Sequence, residues 1–133
     1  MQWGLFLILF LVSSSAMACE DFAKQLTGTY VNQHNSTMKI EADAKDRSLK
    51  GTYETGVGKA SGLYELHGGF TCSGSLGFVV AWQNAKFGDS KTTAAWSGSY
   101  NAEKNIISTT WTLSDNKGLW NSTLTGSDIF QGV

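Results

Sequence analysis

The chain has 133 residues, 41% hydrophobic and 16% charged, with ten Lys and Arg against eleven Asp and Glu for a formal net charge of -1. That balance leaves no electrostatic footprint for nucleic acid or for an anionic membrane surface. Two cysteines are too few for a disulfide-dense scaffold or a four-thiolate zinc site, the length suits one domain, and the apolar fraction excludes a disordered chain.

Residues 1–18 read as a secretory signal peptide. The apolar run from Trp3 to Val12 is too short to span a bilayer. Ser13 to Ser15 follow it, and Ala16-Met17-Ala18 is the small-x-small pattern of a signal-peptidase site, although no Lys or Arg precedes the run. The expected mature domain is 19–133, extracellular. In an oxidising compartment Cys19 and Cys72 are expected to form one structural disulfide. Cleavage immediately before a cysteine is also how a lipid-modified N-terminus arises, so that reading stands beside the first.

Glu20 to Gln25 has room for one helical turn. From Leu26 onward the signal is alternation. It predicts eight strands, over 26–33, 37–43, 48–55, 63–70, 75–83, 91–100, 105–114 and 121–130. Breakers such as His34-Asn35, Ala44 to Asp46, Gly56-Val57-Gly58 and Asp115 to Gly118 separate them. The fold class is therefore all-β. Eight short strands joined by short hairpins favour an antiparallel up-and-down barrel, which has no sheet edge to protect. The chain has no Pro, as continuous ladders require.

The inward faces carry an unusual mixture. Leu76, Phe78, Val80 and Trp82 share one face, and Ile107, Thr109, Trp111 and Leu113 another. Asn32 follows Tyr30 on strand 1, Tyr53 and Thr55 follow Leu49 and Gly51 on strand 3, and Thr92 and Trp96 flank Ala94 on strand 6. Asp128 lies between Gly126 and Phe130 on strand 8. Polar groups inside an aromatic barrel are costly unless they satisfy one another or a ligand satisfies them. Asp128 is the sharpest case, since a carboxylate among indoles needs N–H donors and no Lys or Arg falls on the matching faces. An eight-stranded barrel has room for one small ligand. Asn35-Ser36-Thr37 and Asn121-Ser122-Thr123 also fit the N-glycosylation pattern.

Six motifs in order carry a resemblance. They are Leu26-Thr-Gly-Thr-Tyr30-Val-Asn32-Gln-His-Asn-Ser36, Gly51-Thr-Tyr53-Glu-Thr55, Val79-Val-Ala-Trp82, Ala95-Trp96-Ser-Gly98, Thr109-Thr-Trp111-Thr-Leu113 and Trp120-Asn-Ser-Thr-Leu-Thr-Gly-Ser-Asp128-Ile-Phe130. Together they resemble the avidin and streptavidin family. The resemblance implies non-covalent binding of biotin as a ligand, with no cofactor, no metal and no catalysis. Asn32, Ser36 and Tyr53 match the family's donors to the urea oxygen. Asp128 and Thr55 match the acceptors of the two urea N–H groups. Trp82, Trp96 and Trp111 match the aromatic walls, with Leu113 beside them. Thr92 matches a hydroxyl that holds the valerate carboxylate. Val57 and Lys59 fall in the segment matching the lid loop.

The resemblance also implies a homotetramer in which Trp120 enters a neighbouring subunit's pocket. Ala94 stands where the family often has a second hydroxyl, and Tyr30 replaces a usual tryptophan at the closed end, a change expected to loosen it. Thr110, Thr125 and Ser127 replace larger side chains at one subunit contact. These departures keep open an alternative, an avidin-like oligomerisation module with weak or no biotin binding. A lipocalin-like carrier fits less well, because it needs few fixed polar groups. An enzyme fits least, because no nucleophile is grouped with a base.

Overall fold

The computed structural model describes residues 19–56, 62–84, 88–115 and 123–133. Eight strands follow one another: β1 Gly28–Asn32, β2 Thr37–Asp43, β3 Ser48–Glu54, β4 Tyr64–Phe70, β5 Ser75–Asn84, β6 Gly88–Asn101, β7 Ile106–Asp115 and β8 Thr123–Gly132. Each pairs antiparallel with the next, and β8 returns to β1, so the sheet closes on itself. The predicted eight-stranded up-and-down barrel is the observed one. Every inner strand ladder is continued, and the hydrogen-bonding edge that would otherwise template aggregation is gone.

Alternation places the core. Leu66, Val80, Ile107, Phe130, Met38 and Leu49 are essentially inaccessible, and all point inward. The inner layer is dense in rings: Phe78 stacks on Trp96 at 4.9 Å, and Phe130 meets both Phe78 and Tyr53 edge-on. Leu124 shares inward parity with Asp128 but is 61% exposed, because it lies at the far end of β8. β5 and β6 carry a register shift between Ala81 and Gln83. Such an irregularity bends a strand and increases its local twist.

The helical turn expected at Glu20 to Gln25 is a helix over 19–26, which takes Leu26 from the start of the predicted first strand. Cys19, Phe22, Ala23 and Leu26 lie at i, i+3, i+4 and i+7, so one helical face carries all four. Leu26 and Ala23 are buried, and Phe22 meets Phe70 at 5.9 Å and Tyr100 at 5.7 Å. The helix closes the barrel end formed by the β2–β3, β4–β5 and β6–β7 turns. Tyr30 is 1% exposed and its hydroxyl donates to the Leu26 carbonyl at 2.6 Å; the Tyr100 hydroxyl donates to the Gln25 carbonyl and to Asn105. Tyr30, where a loosening was expected, is buried and holds the helix end through its hydroxyl.

Cys19 and Cys72 are disulfide-bonded, with Cα atoms 5.1 Å apart and a sequence separation of 53. The bond joins the helix start to the β4–β5 turn and favours the disulfide reading over a lipid thioether on Cys19. Closing a loop of that length removes denatured-state entropy worth about 4 kcal/mol in the chain-entropy model.

Candidate functional site

At the opposite end of the barrel the described connection is the β1–β2 turn. Asn35 adopts a left-handed φ of 61° there, which Asn tolerates better than most residues. The turn is built around one side chain. Asn32 Oδ1 accepts the backbone N–H of His34 at 2.9 Å and that of Ser36 at 3.0 Å, while the Asn35 N–H donates to the Asn32 carbonyl. Asn32 and Ser36 are thereby held in place, 6% and 2% exposed. Ser36 Oγ in turn accepts the Gly56 N–H at 3.0 Å, tying this turn to the end of β3. An added Cβ on Gly56 would collide with the backbone of His34 and Asn35.

Tyr53, on β3, reaches the same group. Asn32 Nδ2 donates to its hydroxyl at 3.4 Å. Burial pushes the Tyr53 hydroxyl up to about 12, with the Asp128 charge adding to the rise and hydrogen bonds from Ser36 and Asn32 opposing it. The phenol is therefore a protonated donor at neutral pH. Its ring lies 5.0 Å from Trp96 and 5.6 Å from Trp82, and these two indoles are 6.4 Å apart at 70°.

Asp128, on β8, is 5% exposed. Trp96 Nε1 donates to Oδ2 at 2.9 Å, and Gln33 Nε2 donates to Oδ1 at 3.0 Å. Gln33 is fixed at both ends, because its Oε1 accepts the Ile129 N–H and its Nε2 also reaches the Ser127 carbonyl. The Thr109 hydroxyl donates to the Asp128 carbonyl. A carboxylate offers about four acceptor positions, so two bonds fix its orientation and leave acceptor capacity for a guest. Among the described residues no buried side-chain nitrogen or oxygen lacks a partner. The polar groups thus do satisfy one another in part, and the site is held in shape before any ligand arrives.

The remaining expected residues are distributed as follows. Trp82 and Trp96 are buried; Trp111 and Leu113 are half-buried and pack on the core. Trp111 pairs with Trp96 on one side and Gly126 on the other, and its indole occupies the space a Gly126 side chain would need. Thr55 follows β3 and Thr92 faces Asp115 across the β6–β7 ladder; both are half-buried. Ala94 is buried next to Thr92. Val57, Lys59 and Trp120 lie outside the described residues.

Sequence reasoning put Phe78 and Phe130 on inward faces without assigning them to the site, and missed Gln33 and Tyr64. The three rings share strand parity with named residues, which was the available signal; Tyr64 meets Trp82 edge-on at 4.9 Å. Gln33 had no such signal, because the chain turns at that residue and strand parity no longer tells where its side chain goes.

The arrangement suits a compact, neutral, polar ring. Asn32, Ser36 and Tyr53 cluster as hydroxyl and amide groups, the Asp128 carboxylate is near enough to act on the Tyr53 hydroxyl, and Trp96 touches both the Tyr53 ring and that carboxylate. Comparison with known proteins agrees. The family model described as the Avidin family matches residues 20–133. Among solved structures, the chain is similar to a point variant of shwanavidin in its complex with biotin. The two are 27% identical, with a TM-score of 0.73 over 81% of this chain and 97% of that one.

Proposed function

The chain belongs to the avidin family, and from that premise we propose that it is an exported protein that binds biotin tightly and non-covalently inside its barrel, sequestering it. The observation that carries this reading is Asp128. It is a buried carboxylate, held by Trp96 and Gln33 and surrounded by rings, within the same interior as the Asn32, Ser36 and Tyr53 group. The cyclic urea of biotin is complementary to that pair of features. Its oxygen would accept from Asn32, Ser36 and Tyr53, and one N–H would donate to Asp128, the other to Thr55. Polarising a urea from both sides inside a dry cavity makes each bond stronger than it would be in water. Trp82, Trp96, Trp111 and Leu113 would enclose the bicycle and its sulfur, and Thr92 would take the valerate carboxylate. Val57 and Lys59 are assigned to the lid on the resemblance.

No chemistry follows binding. The donors that converge on the urea oxygen do what an oxyanion hole does, with no reaction following. Export rests on the signal-like residues 1–18, and the Cys19–Cys72 bond supports it, because such bonds persist in oxidising compartments.

The homotetramer is part of the proposal. Its support is the outer surface of β5 to β8. Val79, Ala81, Thr93, Ala95, Ser97, Thr110, Thr112, Thr125, Ser127 and Ile129 lie there, and the described outward side chains include no charge. The outer surface of β2 to β4 carries Lys39, Glu41, Lys50, Glu54 and Glu65 instead. The entry of Trp120 into a neighbouring pocket rests on the resemblance. Isothermal titration with biotin tests the function: one saturable site per chain and a raised melting temperature are expected. Absence of heat and of any shift would leave the non-binding oligomerisation module as the better reading.

A further inference from the structure

The chain has a single arginine, Arg47, and it stands against the disulfide. Arg47 Nε donates to Cys72 Sγ at 2.9 Å, and its Nη1 reaches the Ala44 carbonyl at 3.3 Å. The backbone fixes it there. Arg47 sits at a left-handed φ of 61° in the β2–β3 turn, its N–H donates to the Asp43 carbonyl, and its carbonyl accepts the Phe70 N–H. A guanidinium that touches one sulfur of a disulfide makes the two sulfurs unequal. The negative charge that develops on the departing sulfur is stabilised at Cys72 and not at Cys19, and a stabilised thiolate leaves faster. Both cysteines are part-exposed, so a small thiol can reach the bond.

The bond holds the start of a short helix. Eight residues are too few for a helix to persist alone in water. Its last turn is anchored by buried Leu26 and by the Tyr30 and Tyr100 hydroxyls, whereas its first turn has the disulfide and the Phe22 ring contacts.

We propose that Cys19–Cys72 is a directional redox latch on the closed end of the barrel: a dithiol reductant opens it by attack at Cys19 Sγ, Cys72 leaves as a thiolate held by Arg47, and the helix then frays from Cys19 toward Ala23. In the first step a reductant thiolate bonds to Cys19 Sγ, the Cys19–Cys72 bond breaks, and its electron pair goes to Cys72 Sγ. In the second, the reductant's other thiolate displaces Cys19 and closes a cyclic disulfide. The protein gains two electrons, the two protein sulfurs take up the two protons that the dithiol loses, and the reductant is oxidised. The latch lies at the end opposite Asp128 and does not rest on the biotin reading.

The test starts from the intact oxidised protein. It is exposed briefly to glutathione, alkylated rapidly and mapped by peptide mass spectrometry. Glutathione on Cys19 with an alkylated Cys72 is expected, and the reverse pattern overturns the directional step. Arg47→Gln should slow opening by dithiothreitol several-fold while the oxidised melting temperature stays close to that of the parent; an unchanged rate overturns the role of Arg47. Should that variant not fold, the mapping on the parent protein decides alone. Amide exchange over residues 23–27 should accelerate several-fold on reduction while β3 and β5 keep their protection, and equal protection before and after overturns the fraying.

Discussion

Both ends of the barrel bury tyrosines among aromatic rings, yet they use them differently. At the helix end Tyr30 and Tyr100 give their protons to main-chain carbonyls of Leu26 and Gln25. Tyr100 also donates to the Asn105 side chain, and together these bonds fasten the helix end to the sheet. At the other end Tyr53 accepts from Asn32, Asn32 organises a turn, and Asp128 accepts from an indole and an amide. Here side chains hold side chains, and the two bonds to Asp128 leave acceptor capacity on its carboxylate. The comparison teaches that burial of a polar group does not by itself mark a site. What marks it is a buried group whose partners orient it without exhausting it.

The sharpest way to break that distinction is Asp128→Ala. If the carboxylate is oriented for a guest, biotin affinity should fall by about 3 kcal/mol, roughly a hundredfold, since a bond to a charged acceptor is lost. Titration calorimetry checks it, and unchanged affinity would mean the carboxylate serves the fold alone.

A matched pair sharpens the contrast at smaller amplitude. Tyr30→Phe should cost about 1 kcal/mol of unfolding free energy and leave biotin binding unaltered. Tyr53→Phe should reverse the pattern, weakening biotin by about 1 kcal/mol or more with little change in the denaturation midpoint. Urea melts and titrations of both variants provide the four numbers needed.

The last effect is alkaline. Tyr53 titrates in the folded state at about 12 rather than 10.0, and burial followed by the neighbouring Tyr100 raises Tyr30 further. Both folded values lie above the unfolded one. Below pH 10 both states are protonated and stability is flat. Between pH 10 and 12 the unfolded phenols ionise while the folded ones do not, so stability falls, with a limiting slope of about 1.4 kcal/mol per pH unit for each tyrosine. Tyr53→Phe should remove one of the two contributions, read from urea melts across that range.

How much of this was legible beforehand follows from the physics of each element. Period-two alternation is strong where one face meets a core and the other meets water, as over Met38 to Glu41, Leu76 to Trp82 and Ile107 to Thr112. The helix over 19–26 showed only as room for one turn, because two turns give too few repeats, and Leu26 also fits the strand parity of Gly28, Tyr30 and Asn32. β6 begins at Gly88 rather than 91, since pairing with Asn84 extends the hairpin past the point where hydrophobic alternation fades. Asp128 was legible as an anomaly; its partner Gln33 was not, because a side chain in a turn is aimed by the turn and not by parity.

The most direct measurement of the central claim is a crystal structure of the protein grown with biotin. The account predicts the urea oxygen within hydrogen-bond distance of Asn32, Ser36 and Tyr53, one ring N–H on Asp128, and the bicycle between Trp82, Trp96 and Trp111. Biotin absent from the lumen, or bound there with Asp128 contacting only Trp96 and Gln33, would contradict it.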